Sequence, residues 1–222
     1  MEEGTKVSEK EAMEIEVQTR GQAGSRRWKS EREWRLTASK FGEIIKVTDR
    51  RDMEKFCESL YNQPDLSRVP AVRHGCTYES VALKKFTEIT EKKLVKSGLC
   101  IHPDFPFLGA SPDSFVAEED ALVEVKCPYK ARQCKITPGE DFDFLERNGD
   151  QIQLKRSHNY YYQVVGQLKL SQRNHCYFVV YTFKDFFYEK IALDNAFFMN
   201  EMLPKLKDFY ETKYCPYVAS KM

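Results

Sequence analysis

No stretch of the 222-residue chain is apolar for long enough to cross a membrane, which takes roughly 18 consecutive residues. The opening MEEGTKVSEKEAMEIE is acidic and polar. It has neither the apolar centre of a signal peptide nor the arginine-rich, acid-poor character of a transit peptide, so the cytosol or nucleus is expected. A surplus of one charge is missing too: 35 Lys and Arg against 34 Asp and Glu leave a formal +1. That argues against coating nucleic acid through bulk charge, but not against a local basic track beside an acidic site. The 7 cysteines and 4 histidines contain no CxxC or HxxxH pair, which removes the usual ligand spacing for structural zinc or an iron–sulfur cluster. An odd cysteine count in a chain of this size reads as reduced thiols. His74, His102, His158 and His175 are scattered and suggest no catalytic triad. Internal repeats and low-complexity blocks are absent as well.

What is present suits a folded domain: 41% hydrophobic residues, 13% of all residues aromatic, and a length that can bury a real core. Residues 1–24 are charged and end in Gly21, Gly24 and Ser25, so a flexible or loosely helical arm is expected. Thr37 or Ser39 can cap a helix through Phe41 and Ile44. A second helix is expected around Met53, Phe56 and Leu60, closed by Asn62 and Pro64, and a third over 77–92. Residues 93–101 alternate as a strand does, followed by short apolar runs at 107–110 and 114–116, a turn at 118–120 and the strand LVEVK. Pro128 opens a polar excursion over 129–158, expected to be irregular and functional. A helix over 159–171, a hairpin of 175–183 with 186–193 and a final amphipathic helix over 194–213 complete the pattern. Interleaved helices and strands predict an α/β sandwich around a mixed sheet.

The chemistry concentrates between Asp113 and Lys126. Strand periodicity puts Leu122, Glu124 and Lys126 on one face of LVEVK and Val123 and Val125 on the other. The turn at 118–120 folds the preceding strand back, bringing Asp113 roughly opposite the Glu124–Lys126 end. Two carboxylates suit a hard divalent cation, and magnesium takes one or two together with phosphate and water. An adjacent ammonium can orient a water for phosphodiester hydrolysis. A solvated hairpin with a surface ion pair has the same local pattern, so context decides.

That context is a family resemblance. GASPDSF followed by LVEVKCP resembles the PD-(D/E)XK nuclease motif of the phage lambda exonuclease and YqaJ-type viral recombinase family. WKSEREWRLTAS, RHGCTYES, YYYQVVGQLKLSQ and NHCYFVVYTF resemble further blocks of that family, in its order, so the likeness spans about 28–190. The resemblance implies a restriction-endonuclease-like α/β core over 25–222, a central mixed β-sheet flanked by helices. It implies Asp113, Glu124, the Val125 carbonyl and Glu79 as ligands of Mg2+, with Mn2+ substituting, Lys126 orienting the attacking water, and Gln163 as the helix glutamine, with Gln167 more remote. It further implies a 5′-phosphate pocket from Arg32, Ser39 and Ser111, with Arg35 as rival for the phosphate contact.

The expected activity is hydrolysis of double-stranded DNA from 5′-phosphorylated ends, 5′ to 3′. An endonuclease, a single-strand or RNA nuclease, or a non-cleaving DNA-end-binding module are the alternatives. The intact Asp113–Glu124–Lys126 set speaks against the last. A strand-annealing partner protein and a homo-oligomer are left open by the resemblance. Of the basic clusters, Lys130-Arg132-Lys135 and Lys155-Arg156 flank the expected site, while the YYY and FFY stretches read as core.

Overall fold

The structure is a computed structural model that describes residues 6–62 and 68–221; Pro64, expected to close a helix, lies outside them. Its centre is a mixed sheet, five-stranded among the described residues, with β2 (Leu94–Lys96), β4 (Ser114–Val116), β5 (Ala121–Lys126), β8 (His175–Tyr181) and β9 (Phe186–Ala192) side by side in that order. Only β5 and β8 run parallel, with Glu124 opposite Phe178 and Lys126 opposite Val180. Alternation along these strands divides the core. Leu122, Cys176, Phe178 and Val180 face the larger cluster, while Val123, Val125, Tyr177 and Val179 face a smaller one with Ala82 and Phe86. Both faces are thus covered by helices, as parallel neighbours require.

Helix α5 (Pro70–Thr90) covers the smaller face. It begins seven residues before the expected start because Pro70 sits at its first turn, where the missing N–H costs nothing and φ is already helical. Helix α6 (Asn159–Leu170) covers the larger face. It approaches α3 (Phe41–Ile45) so closely that a Cβ on Gly166 would lie 2.5 Å from the Phe41 ring. Thr37 occupies the N-cap position of a 3-10 turn, Ala38–Lys40, but its side chain makes no capping bond, contrary to expectation; its hydroxyl lies 3.5 Å from that of Ser39.

The final helix runs over 195–219, longer than expected, and is interrupted by π segments at Phe198–Met202 and Tyr210–Tyr214. Pro204 and Pro216 follow them; each lacks the N–H of a regular helical bond, and the wider turn relieves the clash. Two shorter helices are α2 (Arg26–Glu33) and α4 (Met53–Tyr61).

Three segments differ from expectation. The N-terminal arm contains a regular helix, α1 (Glu9–Gln18), with a capping box of Ser8 and Glu11. It docks through Ile15, which packs with Leu99 and Ile101, and through hydrogen bonds from the Gly98 and Leu99 amides to Glu16 Oε1 and Thr19 Oγ1. The expected strand 93–101 is confined to β2 and an isolated bridge from Cys100 to Ala110, because Gly98 lies under α1 with no room for a Cβ. The 129–158 excursion holds a hairpin, β6 (Leu145–Asn148) with β7 (Gln151–Leu154), turned at Gly149 with φ +61°. Among the described residues no helix is long and apolar enough to cross a membrane, and no two cysteines form a disulfide.

Candidate active site

β5 supplies the centre of the site. Glu124 is buried, 3% exposed, and points toward α6, because the alternation that buries Leu122 also turns Glu124 that way. An isolated carboxylate there would be heavily penalised. It is held by three donors: Lys126 Nζ at 2.6 Å and Gln163 Nε2 at 2.6 Å on Oε1, and Gln167 Nε2 at 2.7 Å on Oε2. Gln163 and Gln167 are one helical turn apart and share the face of α6 that meets the sheet. Lys126 Nζ also donates to Gln163 Oε1 at 3.0 Å and lies 4.4 Å from the centre of the Tyr160 ring.

Asp113 stands where the folded-back strand was expected to put it. Its amide donates to the Val123 carbonyl at 3.2 Å, and its Oδ2 accepts the Val125 N–H at 2.6 Å. Glu79 reaches the same region from α5 and makes no hydrogen bond or ion pair among the described residues, but its charge is felt by Asp113. Burial, then Glu124 and Glu79, push the Asp113 carboxyl well above its usual range; burial, then Glu124, raise Glu79 as well. Burial disfavours the charge on Lys126, yet Glu124 and Asp113 outweigh it and its pKa is raised. Lys126 is therefore a cation and a donor at neutral pH, not a base. Cys127 is no nucleophile: burial, then Glu79 and Asp113, push its thiol up to about 12.

The structure thus brings Asp113, Glu124, Lys126, Gln163 and Glu79 into one electrostatic group. The expected metal ligands are near one another without being assembled as a ligand set: among the described residues no three His, Cys, Asp or Glu side chains are arranged to hold an ion. The physical reason is visible at Glu124, both of whose oxygens are turned into Gln163, Gln167 and Lys126. The chemistry of the donors nonetheless fits a hard divalent cation. Carboxylates that raise one another's pKa are a site whose charge a cation relieves.

Of the residues expected to bind a 5′-phosphate, Arg32 and Ser111 meet at Trp28. Strand β1 (Leu36–Thr37) pairs in parallel with β3 (Leu108–Gly109), with Thr37 opposite Gly109. Trp28 Nε1 donates to Ser111 Oγ at 2.9 Å, and the Arg32 guanidinium lies 4.0 Å over the Trp28 ring. Burial lowers Arg32 to about 10, so it stays cationic at neutral pH. Ser39 is exposed. Arg35 has a different place: it is 5% exposed, with Nε donating to the Pro106 carbonyl at 2.9 Å and Nη1 to the Glu31 carbonyl and carboxylate at 2.7 Å each. Its guanidinium ties α2 to the 106–109 segment. Of the flanking basic residues, Arg156 pairs with Asp194, Lys155 donates to the Asp143 carbonyl, and Arg132 lies over Tyr129.

Sequence reading put Gln167 behind the ligands and Tyr160 in the core; Gln167 bonds Glu124 directly, and Tyr160, packed against the core, also lies under the Lys126 ammonium. Both follow from helical geometry once Gln163 is placed, since Tyr160 is three residues before it and Gln167 four after. Trp28, the base on which Arg32 rests, stands first in the WKSEREWRLTAS block, which assigned it no role.

The family model described as YqaJ-like viral recombinase domain matches residues 27–174. No curated protein matches the chain. Among solved structures, an alkaline exonuclease from Laribacter hongkongensis is 22% identical, with 89% of this chain and 96% of that one covered at a TM-score of 0.64. A phage-related exonuclease from Haemophilus somnus 129PT is 14% identical over 84% and 95% of the two chains, TM-score 0.54. The KSHV SOX RNA complex is 12% identical over 94% and 75%, TM-score 0.59. At such identities the likeness is one of fold.

Proposed function

Because the chain belongs to the YqaJ-like viral recombinase family, we propose that it is a DNA exonuclease, hydrolysing phosphodiester bonds of double-stranded DNA with Mg2+ or Mn2+ from 5′-phosphorylated ends. The observation that carries this reading is the buried Glu124 held by Lys126, Gln163 and Gln167 beside Asp113. A structural ion pair needs no second and third carboxylate pressed against it. The exonucleases among the structures of like fold support the same reaction class.

Asp113, Glu124, Glu79 and the Val125 carbonyl would hold the metal, with Gln163 and Gln167 keeping Glu124 oriented. Bound there, the metal supplies positive charge for the scissile phosphate and lowers the pKa of a water. The chain's own contribution is orientation and electrostatics. Lys126, kept protonated, donates to the attacking water or to a phosphate oxygen and offsets charge as the bond breaks. Gln163 fixes Lys126 and Glu124 together, and Tyr160 covers the ammonium. Arg32 on Trp28, with the Ser39 and Ser111 hydroxyls, would take the terminal phosphate, since a guanidinium and hydroxyl donors match its oxygens. Arg35 is held within the fold by the Pro106 carbonyl and Glu31.

The test is digestion of linear duplex carrying a 5′-phosphate or a 5′-hydroxyl, beside covalently closed circular duplex. The reading expects loss of the linear substrate with a preference for the 5′-phosphate, a preference that Arg32→Ala removes, and an intact circle. Cleavage of the circle would make the protein an endonuclease; equal rates on both ends would remove the phosphate pocket.

A further inference from the structure

Beside the site lies an aromatic cluster that the proposed hydrolysis does not use. His74 and Tyr78 project from α5 one turn apart, and Tyr78 immediately precedes Glu79. The His74 ring is 4.6 Å from Tyr78, 5.6 Å from Tyr129 and 5.6 Å from Phe183. Tyr78 lies 4.8 Å from Phe183 and stacks on Tyr181 at 6.4 Å. Tyr129 is three residues beyond Lys126, so the strip starts close to the site along the chain. A bond from the Phe183 amide to the Arg132 carbonyl, 2.8 Å, ties its two loops together.

Two of these rings are not core. Phe183 is 39% exposed and Tyr129 36%. A cation stands at each end of the strip: the Arg132 guanidinium 4.3 Å over Tyr129, and the Lys85 ammonium 5.9 Å from Tyr181. Neither forms an ion pair with a carboxylate among the described residues. Asp185, the acid in the same hairpin, is occupied by the Ile136 and Phe186 amides. Exposed rings bordered by cations without acidic partners match the chemistry of single-stranded nucleic acid, with π faces for bases and charge for phosphates.

We propose that the exposed Tyr129 and Phe183 rings, seated on Tyr78 and the buried His74, form a stacking platform for unpaired bases of the DNA substrate. The proposal rests on the exonuclease reading: removing nucleotides from one strand of a duplex leaves its complement unpaired at the site, and those bases need an apolar surface once their partners are gone. A strip that begins three residues from Lys126 and one from Glu79 is placed to receive them.

The experiment uses the full chain in EDTA, so that binding is read without hydrolysis. Fluorescence anisotropy is measured with a short single-stranded oligodeoxynucleotide and with a blunt duplex, for wild type, Tyr129→Leu, Phe183→Leu and the conservative Tyr129→Phe and Phe183→Tyr. Each leucine variant is expected to bind the single strand about ten-fold more weakly, with duplex affinity unchanged and the aromatic variants restoring binding. A 2-aminopurine in the strand is expected to change emission on wild type and not on the leucine variants. Leucine variants that melt as wild type does and bind the single strand equally well would overturn the platform, leaving it as packing or a protein-docking face. Equal weakening on both probes would also overturn it. A wild type that digests duplex while its leucine variants bind unchanged sinks only the platform; a wild type that neither binds nor cleaves sinks the exonuclease reading as well.

Discussion

Gln167 is 1% exposed, and its Oε1 is the one buried side-chain atom without a hydrogen-bond partner among the described residues. A buried orphan acceptor costs about 1–3 kcal/mol, so its retention needs a reason. The reason lies at the other end of the amide, where Nε2 holds Glu124 Oε2 at 2.7 Å. Gln167→Leu removes that orphan but strips the buried Glu124 Oε2 of its donor, so it is expected to lower the melting temperature and to weaken metal affinity by about ten-fold or more, as loss of a partner to a ligand does; a thermal melt and calorimetric titration with Mn2+ read the two effects. Glu119 offers a pH test away from the site. Burial opposes its ionisation, but Lys190, Lys92 and Tyr177 hydrogen-bond to it and hold its carboxyl at about 2. A depressed pKa in the folded state gives stability that is present above the unfolded value and lost as pH falls from about 4.5 toward about 2. Glu119→Gln is expected to lower stability at pH 7 by about 1 kcal/mol, after allowance for solvent screening. Urea melts of the two proteins should converge in acid. At this scale strand periodicity aimed Glu124 and Lys126 and the turn brought Asp113 opposite them, while the family blocks were needed to read the three as a site. Tyr160 and Gln167 were not legible, since an apolar-looking helix hides which polar group meets the sheet.

Elements position the site through two close approaches. At Gly166, between Gln163 and Gln167, an added Cβ would meet Phe41 at 2.5 Å. Gly166→Ala is expected to cost about 1–3 kcal/mol through overpacking and to lower turnover by displacing both glutamines; a thermal melt and a rate on the same preparation separate the effects. At the other edge, α1 contributes Ile15 to a small cluster with Leu99 and Ile101. Ile15→Ala is expected to cost about 2 kcal/mol and to expose α1 to hydrogen exchange before the sheet; exchange rates equal to those of the sheet would show one cooperative unit instead. The docking of the arm's helix was hard to foresee. Its charged sequence buries little beyond Ala12 and Ile15, and its partner, the amides freed at Gly98, is distant in sequence. The 145–154 hairpin carried a signal, Asn148-Gly149, which favours the positive φ such turns need. Polar composition masked it. The start of α5 at Pro70 was likewise written in the chain, whereas the π segments before Pro204 and Pro216 depend on packing that no local pattern records.

Across the whole molecule, the sheet order places the parallel β5–β8 pair at the centre with helices on both faces, so the polar end of β5 opens between α5 and α6. That arrangement gathers groups from positions 79, 113, 124, 126, 163 and 167 onto one strand end. Such convergence was legible from the ordered blocks and not from composition, because a net charge of +1 averages an acidic site against its basic surroundings. It also predicts that the site can be emptied of activity without loss of the fold, since Lys126 is partly exposed and not part of the apolar core. The most direct measurement is digestion of 5′-phosphorylated linear duplex by wild type and Lys126→Ala, each with Mg2+ and with EDTA, alongside circular dichroism. The account predicts Mg2+-dependent hydrolysis by wild type, none in EDTA, and at least about a hundred-fold loss in a Lys126→Ala protein with an unchanged spectrum. Undiminished hydrolysis by a folded Lys126→Ala, or activity indifferent to EDTA, would contradict it.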